Sequence, residues 1–217
     1  MSSHRPRVSI GMPVYNGGRY LEEALQSVLS QSYEDFDVVI SDNASTDDTE
    51  EICRTYARSD ERIRYFRLRQ NYGIIYNFNN VFRLSTGKYF KWAASDDVCG
   101  PDYLLKAVQV LEEDPSVVLV WATAVGIDER GQQVPMRYEV SDLNSPNSVY
   151  SPDPTVRFRR LLRNIWWTEG PFHGVIRAAT LAQTRWLVPP HIGCDHVLLS
   201  ELSLKGRFYE IPQEMFF

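Results

Sequence analysis

The strongest constraint on the fold is an alternation of apolar strands with amphipathic helices along the first part of the chain. Val8–Val14 is an apolar run of strand length, and the apolar residues between positions 20 and 29 recur at spacings of three and four, as on one face of a helix. Similar runs at Phe36–Ile40, Ile63–Leu68 and Tyr89–Ala93 are separated by helical patterns. Because parallel strands are joined by crossover helices, the alternation predicts an α/β fold with a mostly parallel central sheet and helices on both faces.

The second part of the chain is less regular. A β-run at Val117–Ala124 is followed by a turn pattern at 128–131 and then by a polar stretch, rich in Pro, Ser and Asn, that reaches Pro154. Beyond it we predict helices over 155–164 and 195–204, a segment over 175–184 and a strand over 206–211. With 217 residues, 43% of them hydrophobic, we predict one domain with two halves, residues 1–130 and the smaller 131–217.

Composition limits the partners and the compartment. A net charge of −5 argues against nucleic acid, whose binding depends on clustered Lys and Arg. Cys53, Cys99 and Cys194 are an odd number without a repeated spacing, which favours a reducing, cytoplasmic environment over a disulfide framework. The N-terminus lacks a secretory segment, and no apolar run approaches the ~20 residues of a membrane span. We therefore expect no transmembrane segment, which is compatible with peripheral association at the cytoplasmic face of a membrane.

Four predicted strands are each followed by a polar segment. These segments are 13–18 (PVYNGG), 41–45 (SDNAS), 69–73 (RQNYG) and 95–97 (SDD). In an open parallel sheet, ligands bind beyond the carboxyl ends of the strands. We therefore expect the four segments to face one cleft.

Asp96 and Asp97 directly follow a hydrophobic strand, where two adjacent carboxylates repel each other unless water or a cation binds them. Mg²⁺ and Mn²⁺ take one or two carboxylates and complete their shells with water and phosphate oxygens, so the pair predicts a metal site on a phosphate-bearing ligand. The alternative is that the pair closes a surface loop before the helix that begins near Pro101.

Tyr15 and Asp42 are candidates for holding a nucleoside. Tyr15 can stack on a base, Gly17-Gly18 allow close backbone approach, and Asp42 can accept a hydrogen bond from a base or ribose. The alternatives are an ordinary strand-to-helix turn and helix capping. Because the residues at 45–48 are better placed as caps, we expect Asp42 to be freer than they are to bind a ligand.

Several short motifs together resemble the family 2 glycosyltransferases of the GT-A fold. They are Val8-Ser9-Ile10 with 13–17, then 39–47, then Gly87-Lys88-Tyr89 with 94–97 and Pro101-Asp102. The likeness covers about residues 7–130 and is specific, because the motifs occur in the expected order and spacing. It implies a GT-A type, Rossmann-like fold with an acceptor-side C-terminal lobe, and an enzyme that transfers a sugar with inversion. The implied donor is a nucleotide-diphosphate-sugar, the acceptor a saccharide or lipid-linked hydroxyl, the cofactor Mn²⁺ or Mg²⁺, and the setting polysaccharide or glycoconjugate biosynthesis.

The resemblance also implies roles for individual residues. Those matching donor-binding positions are Pro13, Tyr15, Asp42, Asn71, Gly73 and Asp96. Asp97, together with Asp96, matches the metal and diphosphate motif, with Asp97 the more direct ligand. Asp195, in the segment Gly-Cys-Asp-His before a helix, matches the catalytic base, although taken by itself the residue is better explained as a helix N-cap.

Two departures from the family pattern bear on these roles. Many members carry an acidic residue two positions before the second Asp, whereas this chain has Ala94-Ser95 ahead of Asp96-Asp97, so we expect fewer protein ligands and weak cation affinity without donor. The chain also ends at Phe217, directly after a predicted strand, where relatives commonly continue. We therefore expect the acceptor-binding half, 131–217, to be C-terminally incomplete.

The same residues also bear on competing functions. The glycine motifs of nicotinamide dehydrogenases and of P-loop nucleotidases are missing. A sugar nucleotidyltransferase and a non-catalytic nucleotide-sugar-binding module remain open. His173, His191 and His196 with Cys194 match no zinc spacing, so we expect these histidines to be structural.

Overall fold

The structure is a computed structural model that describes residues 5–134, 148–163, 169–188 and 193–217. These residues form a seven-stranded sheet, a separate two-stranded hairpin and covering helices. The strands are β1 (Val8–Val14), β2 (Phe36–Asp42), β3 (Ile63–Arg67), β4 (Tyr89–Trp92), β5 (Val117–Ala124), β6 (Gly126–Ile127), β7 (Gln133–Val134), β8 (Val175–Arg177) and β9 (Arg207–Phe216). The helices are α1 (Leu21–Leu29), α2 (Thr49–Ser59), α3 (Ile74–Leu84), α4 (Tyr103–Glu113), α5 (Pro154–Arg163), α6 (Glu169–Phe172), α7 (Ala178–Leu181) and α8 (Cys194–Lys205).

The order of strands in the sheet is β3-β2-β1-β4-β8-β5-β9. β1 pairs in parallel with β2 and β4, β2 pairs in parallel with β3, and β5 pairs in parallel with β9. β8 runs antiparallel between β4 and β5. The predicted mostly parallel sheet is confirmed, and the carboxyl ends of β3, β2, β1 and β4 lie along one edge.

Helices cover both faces of the sheet, each over an apolar cluster. On one face Ile10 and Met12 of β1 belong to a cluster with buried residues of α1 and α4. On the other face Phe90, Trp92 and Trp121 belong to a cluster with buried residues of α3 and α8. Burying each such side chain contributes about 1.5–3 kcal/mol, so packing on both faces stabilises the sheet far more than local helix propensity does.

Most predicted elements are confirmed, and the differences have physical causes. β2 runs on to Asp42 because its last residues still pair with both neighbouring strands. α3 begins at Ile74, earlier than the predicted Asn77, directly after Gly73 in the left-handed region (φ 86°). β9 continues beyond Ile211 because its pairing with β5 survives several register shifts.

The second half of the chain completes the sheet. The segment predicted over 175–184 divides into β8 and α7, and β8 lies between two strands of the first half. β9 forms the sheet edge beside β5. The assignment of 1–130 to donor binding and 131–217 to acceptor binding stays a prediction. In the ranges that the structure describes, no helix combines the length and the hydrophobicity that a membrane crossing requires.

Candidate functional site

The loops that follow β1, β2 and β4 contact one another at the carboxyl edge of the sheet. The backbone N–H of Asn16 donates to Oγ of Ser45 (2.9 Å), and the backbone N–H of Thr46 donates to Oδ1 of Asn16 (2.8 Å). A Cβ atom added at Gly17 would meet Oγ of Ser95 at 2.8 Å, so the β1 loop lies directly against the β4 loop. Three of the four predicted polar segments are therefore in contact.

Asn43 fastens the fourth segment to the others. Its Nδ2 donates to Oδ1 of Asn71 (2.9 Å) and to the carbonyl of Gly73 (3.2 Å), and its Oδ1 accepts from the backbone N–H of Tyr72 (2.9 Å). The buried amide of Asn43, just after β2, thus makes three hydrogen bonds to the loop that carries Asn71 and Gly73. Sequence analysis did not assign Asn43 a role, because nothing local shows that its amide faces another loop.

Asp42 ends β2, and its side chain is fully buried. Oδ1 accepts from the backbone N–H of Ser45 (2.8 Å), and Oδ2 accepts from the hydroxyl of Tyr65 (2.7 Å) and from the guanidinium of Arg67. Burial alone raises the pKa of Asp42, but the hydrogen bonds from Ser45, Tyr65 and Arg67 outweigh it and lower the pKa below its ordinary value. Three donors of the protein therefore already bind the carboxylate of Asp42, and a contact between Asp42 and a ligand stays a prediction.

Arg67 is a charged group at this edge that sequence analysis missed. Its guanidinium contacts Asp42, donates to the carbonyl of Ser45 (2.8 Å) and lies 3.1 Å from the carboxylate of Glu50. About a third of the side chain (31%) stays exposed. The sequence places Arg67 near the end of the predicted strand Ile63–Leu68, whereas only the structure shows that it pairs in register with Asp42.

Pro13 and Tyr15 differ in exposure. Pro13 lies within β1, buried and paired with Ser41, whereas Tyr15 is 49% exposed just beyond the strand. Tyr72 and Tyr76 are also exposed and contact each other, with ring centroids 4.8 Å apart. Exposed aromatic rings therefore follow both β1 and β3.

Asp96 and Asp97 lie in different surroundings although they are adjacent. Asp96 is exposed and lines a cavity of about 340 Å³ together with Glu23 and Glu129. Asp97 is 26% exposed, and its Oδ2 lies 3.8 Å from Nδ1 of His173. The two carboxylates therefore have different neighbours.

The end of β9 holds the loop that contains Asp97. Val98 donates its backbone N–H to the carbonyl of Phe217 (2.7 Å) and accepts one from Phe217 in return (2.8 Å). Gly100 donates to the carbonyl of Met215 (2.9 Å). The last residues of the chain thus support the Asp-Asp loop.

His173 packs beside Asp97 with its ring in a fixed position. The ring stacks on Phe216, with centroids 5.3 Å apart, and the backbone carbonyl accepts from Nζ of Lys91 (2.6 Å) and the hydroxyl of Tyr103 (3.2 Å). Burial, and less strongly the charge of Lys91, lowers the pKa of His173 to about 3, so its imidazole is neutral at pH 7. Nδ1 is buried and has no hydrogen-bond partner in the described part of the chain.

The carboxylates at this edge of the sheet fit a divalent cation that is held in part by the phosphate oxygens of a substrate. Among residues 5–134, 148–163, 169–188 and 193–217, no group of three or more His, Cys, Asp or Glu could hold a metal ion by itself. Mg²⁺ and Mn²⁺ commonly bind through one or two protein carboxylates, with water and substrate phosphate as the remaining ligands. Asp97 fits such a site, and a diphosphate would supply the missing oxygens.

Asp195 lies in the first turn of α8. The N-cap of this helix is Gly193, in the left-handed region (φ 78°), so the alternative that Asp195 is the N-cap is wrong. Oδ1 of Asp195 lies 3.2 Å from Nδ1 of His196. α8 packs against α6, and His173 directly follows α6 in the chain. His191 lies outside the described residues.

The fold and this edge define a GT-A type α/β protein, with polar loops gathered beyond the carboxyl ends of parallel strands. The family model described as Glycosyl transferase family 2 matches residues 9–181, most of the chain. The chain therefore belongs to the family 2 glycosyltransferases, and the predicted family is confirmed.

The relatives agree with this membership. The chain is 34% identical over 113 residues to the putative teichuronic acid biosynthesis glycosyltransferase TuaG of Bacillus subtilis, an alignment that spans 52% of this chain and 45% of TuaG. The chain spans less than half of the length of the curated relatives it matches.

Two solved structures share the fold. S. aureus TarS in complex with UDP-GlcNAc superposes with a TM-score of 0.74 at 22% identity, over 97% of this chain and 57% of TarS. The mannosyltransferase PcManGT of Pyrobaculum calidifontis, in complex with GDP-Man and Mn²⁺, superposes with a TM-score of 0.68 at 21% identity, over 97% of this chain and 56% of PcManGT.

Proposed function

We propose that this chain transfers a sugar from a nucleotide-diphosphate-sugar to an acceptor hydroxyl, with inversion and with Mn²⁺ or Mg²⁺. The observation that carries the proposal is the meeting of the four polar loops at one edge of the sheet, within a chain that belongs to the family 2 glycosyltransferases. Relatives of this chain include a glycosyltransferase named for teichuronic acid biosynthesis. We accordingly propose that the reaction belongs to polysaccharide or glycoconjugate biosynthesis and that the acceptor is a saccharide or a lipid-linked hydroxyl. The proposed location is the cytoplasm or the cytoplasmic face of the membrane.

The donor nucleoside lies against the loops after β1, β2 and β3 in this proposal. In this proposal the base stacks on the exposed ring of Tyr15, and the buried Pro13 contributes to the surface on which the nucleoside lies. The hydrogen-bond donors to Asp42 are protein groups. We propose that an N–H or O–H of the nucleoside replaces one of these donors when the donor substrate binds. Asn71 and Gly73 close the donor side through the amide of Asn43.

Asp97, with Asp96 beside it, holds the cation on the donor diphosphate. A divalent cation bound there offsets the charge that grows on the leaving diphosphate and aligns it. Asp97 is oriented for this task by the Asp-Asp loop, which the end of β9 supports. Asp96 is exposed and can reach the diphosphate from the side of the acidic cavity.

Asp195 is the general base in this proposal. It removes the proton from the acceptor hydroxyl while the oxygen attacks the anomeric carbon from the face opposite the diphosphate, which inverts the configuration. Asp195 lies in the first turn of α8, and Gly193 takes the N-cap position. The neighbouring His196 ring restricts its orientation.

The test is release of nucleoside diphosphate from a panel of UDP-, GDP- and dTDP-sugars with Mn²⁺ and candidate acceptors. Asp195→Asn should lower kcat by about 10²–10⁴-fold while donor binding and Tm stay unchanged, because the substitution removes only a proton acceptor. Asp48→Asn is the matched control, since Asp48 is an exposed N-cap of α2 and Asn caps equally well.

The competing functions give different results in the same assay. Donor binding without turnover on any acceptor would indicate a non-catalytic nucleotide-sugar-binding module. Release of pyrophosphate from a nucleoside triphosphate would indicate a sugar nucleotidyltransferase. Full turnover in Asp195→Asn would refute the role given to Asp195.

A further inference from the structure

A second cavity lies at the edge of the sheet opposite to the four polar loops. Its volume is about 270 Å³, and its lining comes from the starts of β5 and β9, the end of α8 and the segment before and within α5. β5 runs in the same direction as β4, because both pair antiparallel with β8. At about 3.3 Å per residue, β5 places this cavity roughly 25 Å from the carboxyl edge of the sheet. The cavity is therefore separate from the candidate donor site.

The charge of this cavity is unusual for the chain. Three cationic side chains line it, those of Arg157, Lys205 and Arg207, and no carboxylate of the described residues does. The cavity beside Asp96 has the opposite character, because its charged lining residues are acidic. The chain as a whole carries a net charge of −5. Three positive charges around one cavity of an acidic protein favour an anionic ligand there.

Arg157 is buried, at 5% exposure, and held in place by backbone carbonyls. Nε donates to Ser203 (2.6 Å), and Nη1 donates to Ser151 (2.7 Å) and Pro152 (3.0 Å). Nη2 has no hydrogen-bond partner among the described residues, and it is not one of the fully enclosed atoms. The guanidinium is thus fixed and keeps two N–H groups for a ligand.

Lys205 and Arg207 also keep unused donors. In the part of the chain that the structure describes, neither side chain donates a hydrogen bond. Arg207 lies over the ring of Tyr150, 5.2 Å from its centroid, and 3.6 Å from a carboxylate oxygen of Asp114. That distance is longer than a hydrogen bond, so Asp114 balances the charge of Arg207 without using its N–H groups.

The two arginines repel each other across this region. Burial lowers the pKa of Arg157, the charge of Arg207 lowers it further, and the charge of Asp153 raises it. A guanidinium nevertheless stays charged in proteins, so the buried positive charge remains. The carbonyls that Arg157 binds explain why it is buried, but they do not explain why two more cations line the same cavity. A bound anion would offset the repulsion.

We propose that this cavity binds a phosphate group, with Arg157, Lys205 and Arg207 donating to its oxygens. A phosphate offers several charged acceptor oxygens, which suit the planar fork of Arg and the point charge of Lys. The cavity volume is several times the ~30 Å³ that one water occupies, so it has room for a phosphate and for part of the group that carries it. The proposal goes beyond the proposed function and needs neither the donor nor the divalent cation.

The phosphate has two possible sources, a soluble phosphate compound and the headgroup of an anionic lipid. α5, the helix of Arg157, carries no acidic residue, and its Arg159 and Arg163 are exposed four positions apart on one face. An anionic bilayer would attract these two residues as well, whereas a single free phosphate in the cavity would leave them unused. Arg159 and Arg163 therefore distinguish the two sources.

The first experiment is an NMR titration of the ¹⁵N-labelled protein with inorganic phosphate in the millimolar range, at pH 7.5 and with EDTA. We expect saturable shifts of the backbone amides at 116, 206 and 207, which lie on the cavity wall. Lys205→Gln and Arg207→Gln should each weaken binding by about tenfold, because each removes a charged donor. Arg58→Gln is the matched control, since it removes one exposed positive charge from the end of α2 and should leave binding unchanged. Arg157 is kept in all variants because its carbonyl contacts stabilise the fold.

The second experiment is co-sedimentation with vesicles of phosphatidylglycerol and phosphatidylcholine, compared with vesicles of phosphatidylcholine alone. If the phosphate belongs to a lipid, the protein should sediment with the anionic vesicles. Arg159→Gln, Arg163→Gln, Lys205→Gln and Arg207→Gln should then each lower the partition coefficient by about fivefold. Arg58→Gln should again behave as the wild-type protein does.

The outcomes separate as follows. Phosphate binding at the cavity amides that Arg159→Gln and Arg163→Gln leave unchanged, without vesicle binding, supports the site with a soluble ligand. Vesicle binding that all four substitutions weaken supports the site with a lipid headgroup. Vesicle binding that Lys205→Gln and Arg207→Gln leave unchanged overturns the site. Shifts confined to other amides, or no binding in either experiment, also overturn it, and in every case the proposed sugar transfer stands or falls by its own assay.

Discussion

Replacing Asp42 by Asn tests whether the donor edge is built around a buried charge. The carboxylate is fully buried and accepts from Ser45, Tyr65 and Arg67. Asn can still accept from the backbone N–H of Ser45, but its amide cannot pair with the guanidinium of Arg67. A hydrogen bond to a charged group contributes about 1.5–3 kcal/mol, and the 31% exposure of Arg67 lets water replace part of it. We expect the free energy of unfolding to fall by about 2 kcal/mol.

The pH dependence of stability gives an independent check. The pKa of Asp42 is lowered in the folded protein, so the unfolded chain binds more protons in the acid range and stability falls as pH falls. The stabilisation by Asp42 is complete above the ordinary Asp pKa of about 3.9 and is lost as pH falls through the folded pKa. Asp42→Asn should therefore show a flatter decline of stability below about pH 4 than the wild-type protein.

Urea denaturation followed by tryptophan fluorescence, at pH 7 and at several values between pH 3 and pH 5, measures both effects. Asp48→Asn is the control, because this exposed N-cap tolerates Asn and should change stability by less than about 0.5 kcal/mol. A double-mutant cycle with Arg67→Ala should give a coupling energy of about 1–2 kcal/mol. A loss below about 0.5 kcal/mol with an unchanged pH slope would show that Asp42 is not held as a paired charge.

Two further predictions concern the loops and the thiols. Asn43→Ala removes the amide that binds the loop after β3, so the free energy of unfolding should fall by about 1–3 kcal/mol. The same substitution should speed hydrogen exchange of the backbone amides at 71–73 and weaken UDP binding. Unchanged exchange at these amides would show that Asn43 does not hold the loop. Burial raises the pKa of Cys53 to about 12, so a disulfide reagent at pH 8 should leave Cys53 unmodified in the native protein. The reagent should label the half-buried Cys194 first, and more slowly than a free thiol because burial raises its pKa as well; labelling of Cys53 without unfolding would contradict its burial.

The sheet in the first half could be predicted because the information is local. Side chains alternate every two residues in a strand and recur every 3.6 residues in a helix, so β1 and the helix after it are visible in the pattern of apolar residues. The rule that ligands bind beyond the carboxyl ends of parallel strands then singles out Tyr15, Asp42 and the Asp96-Asp97 pair. The motifs around these residues are also those that indicate the family.

Strand order and register decided what the sequence pattern could not. The sequence indicates neither that β8 runs antiparallel between β4 and β5 nor that Arg67 lies opposite Asp42, because such pairings join residues that are distant in the chain. The same reason applies to His173, which only the folded sheet brings beside Asp97. The amino-acid sequence thus determined the helices and strands, the family and the candidate acidic residues. The tertiary structure decided which hydrogen-bond donors each acidic residue binds, because hydrogen bonds and ion contacts depend on distances that local periodicity does not encode.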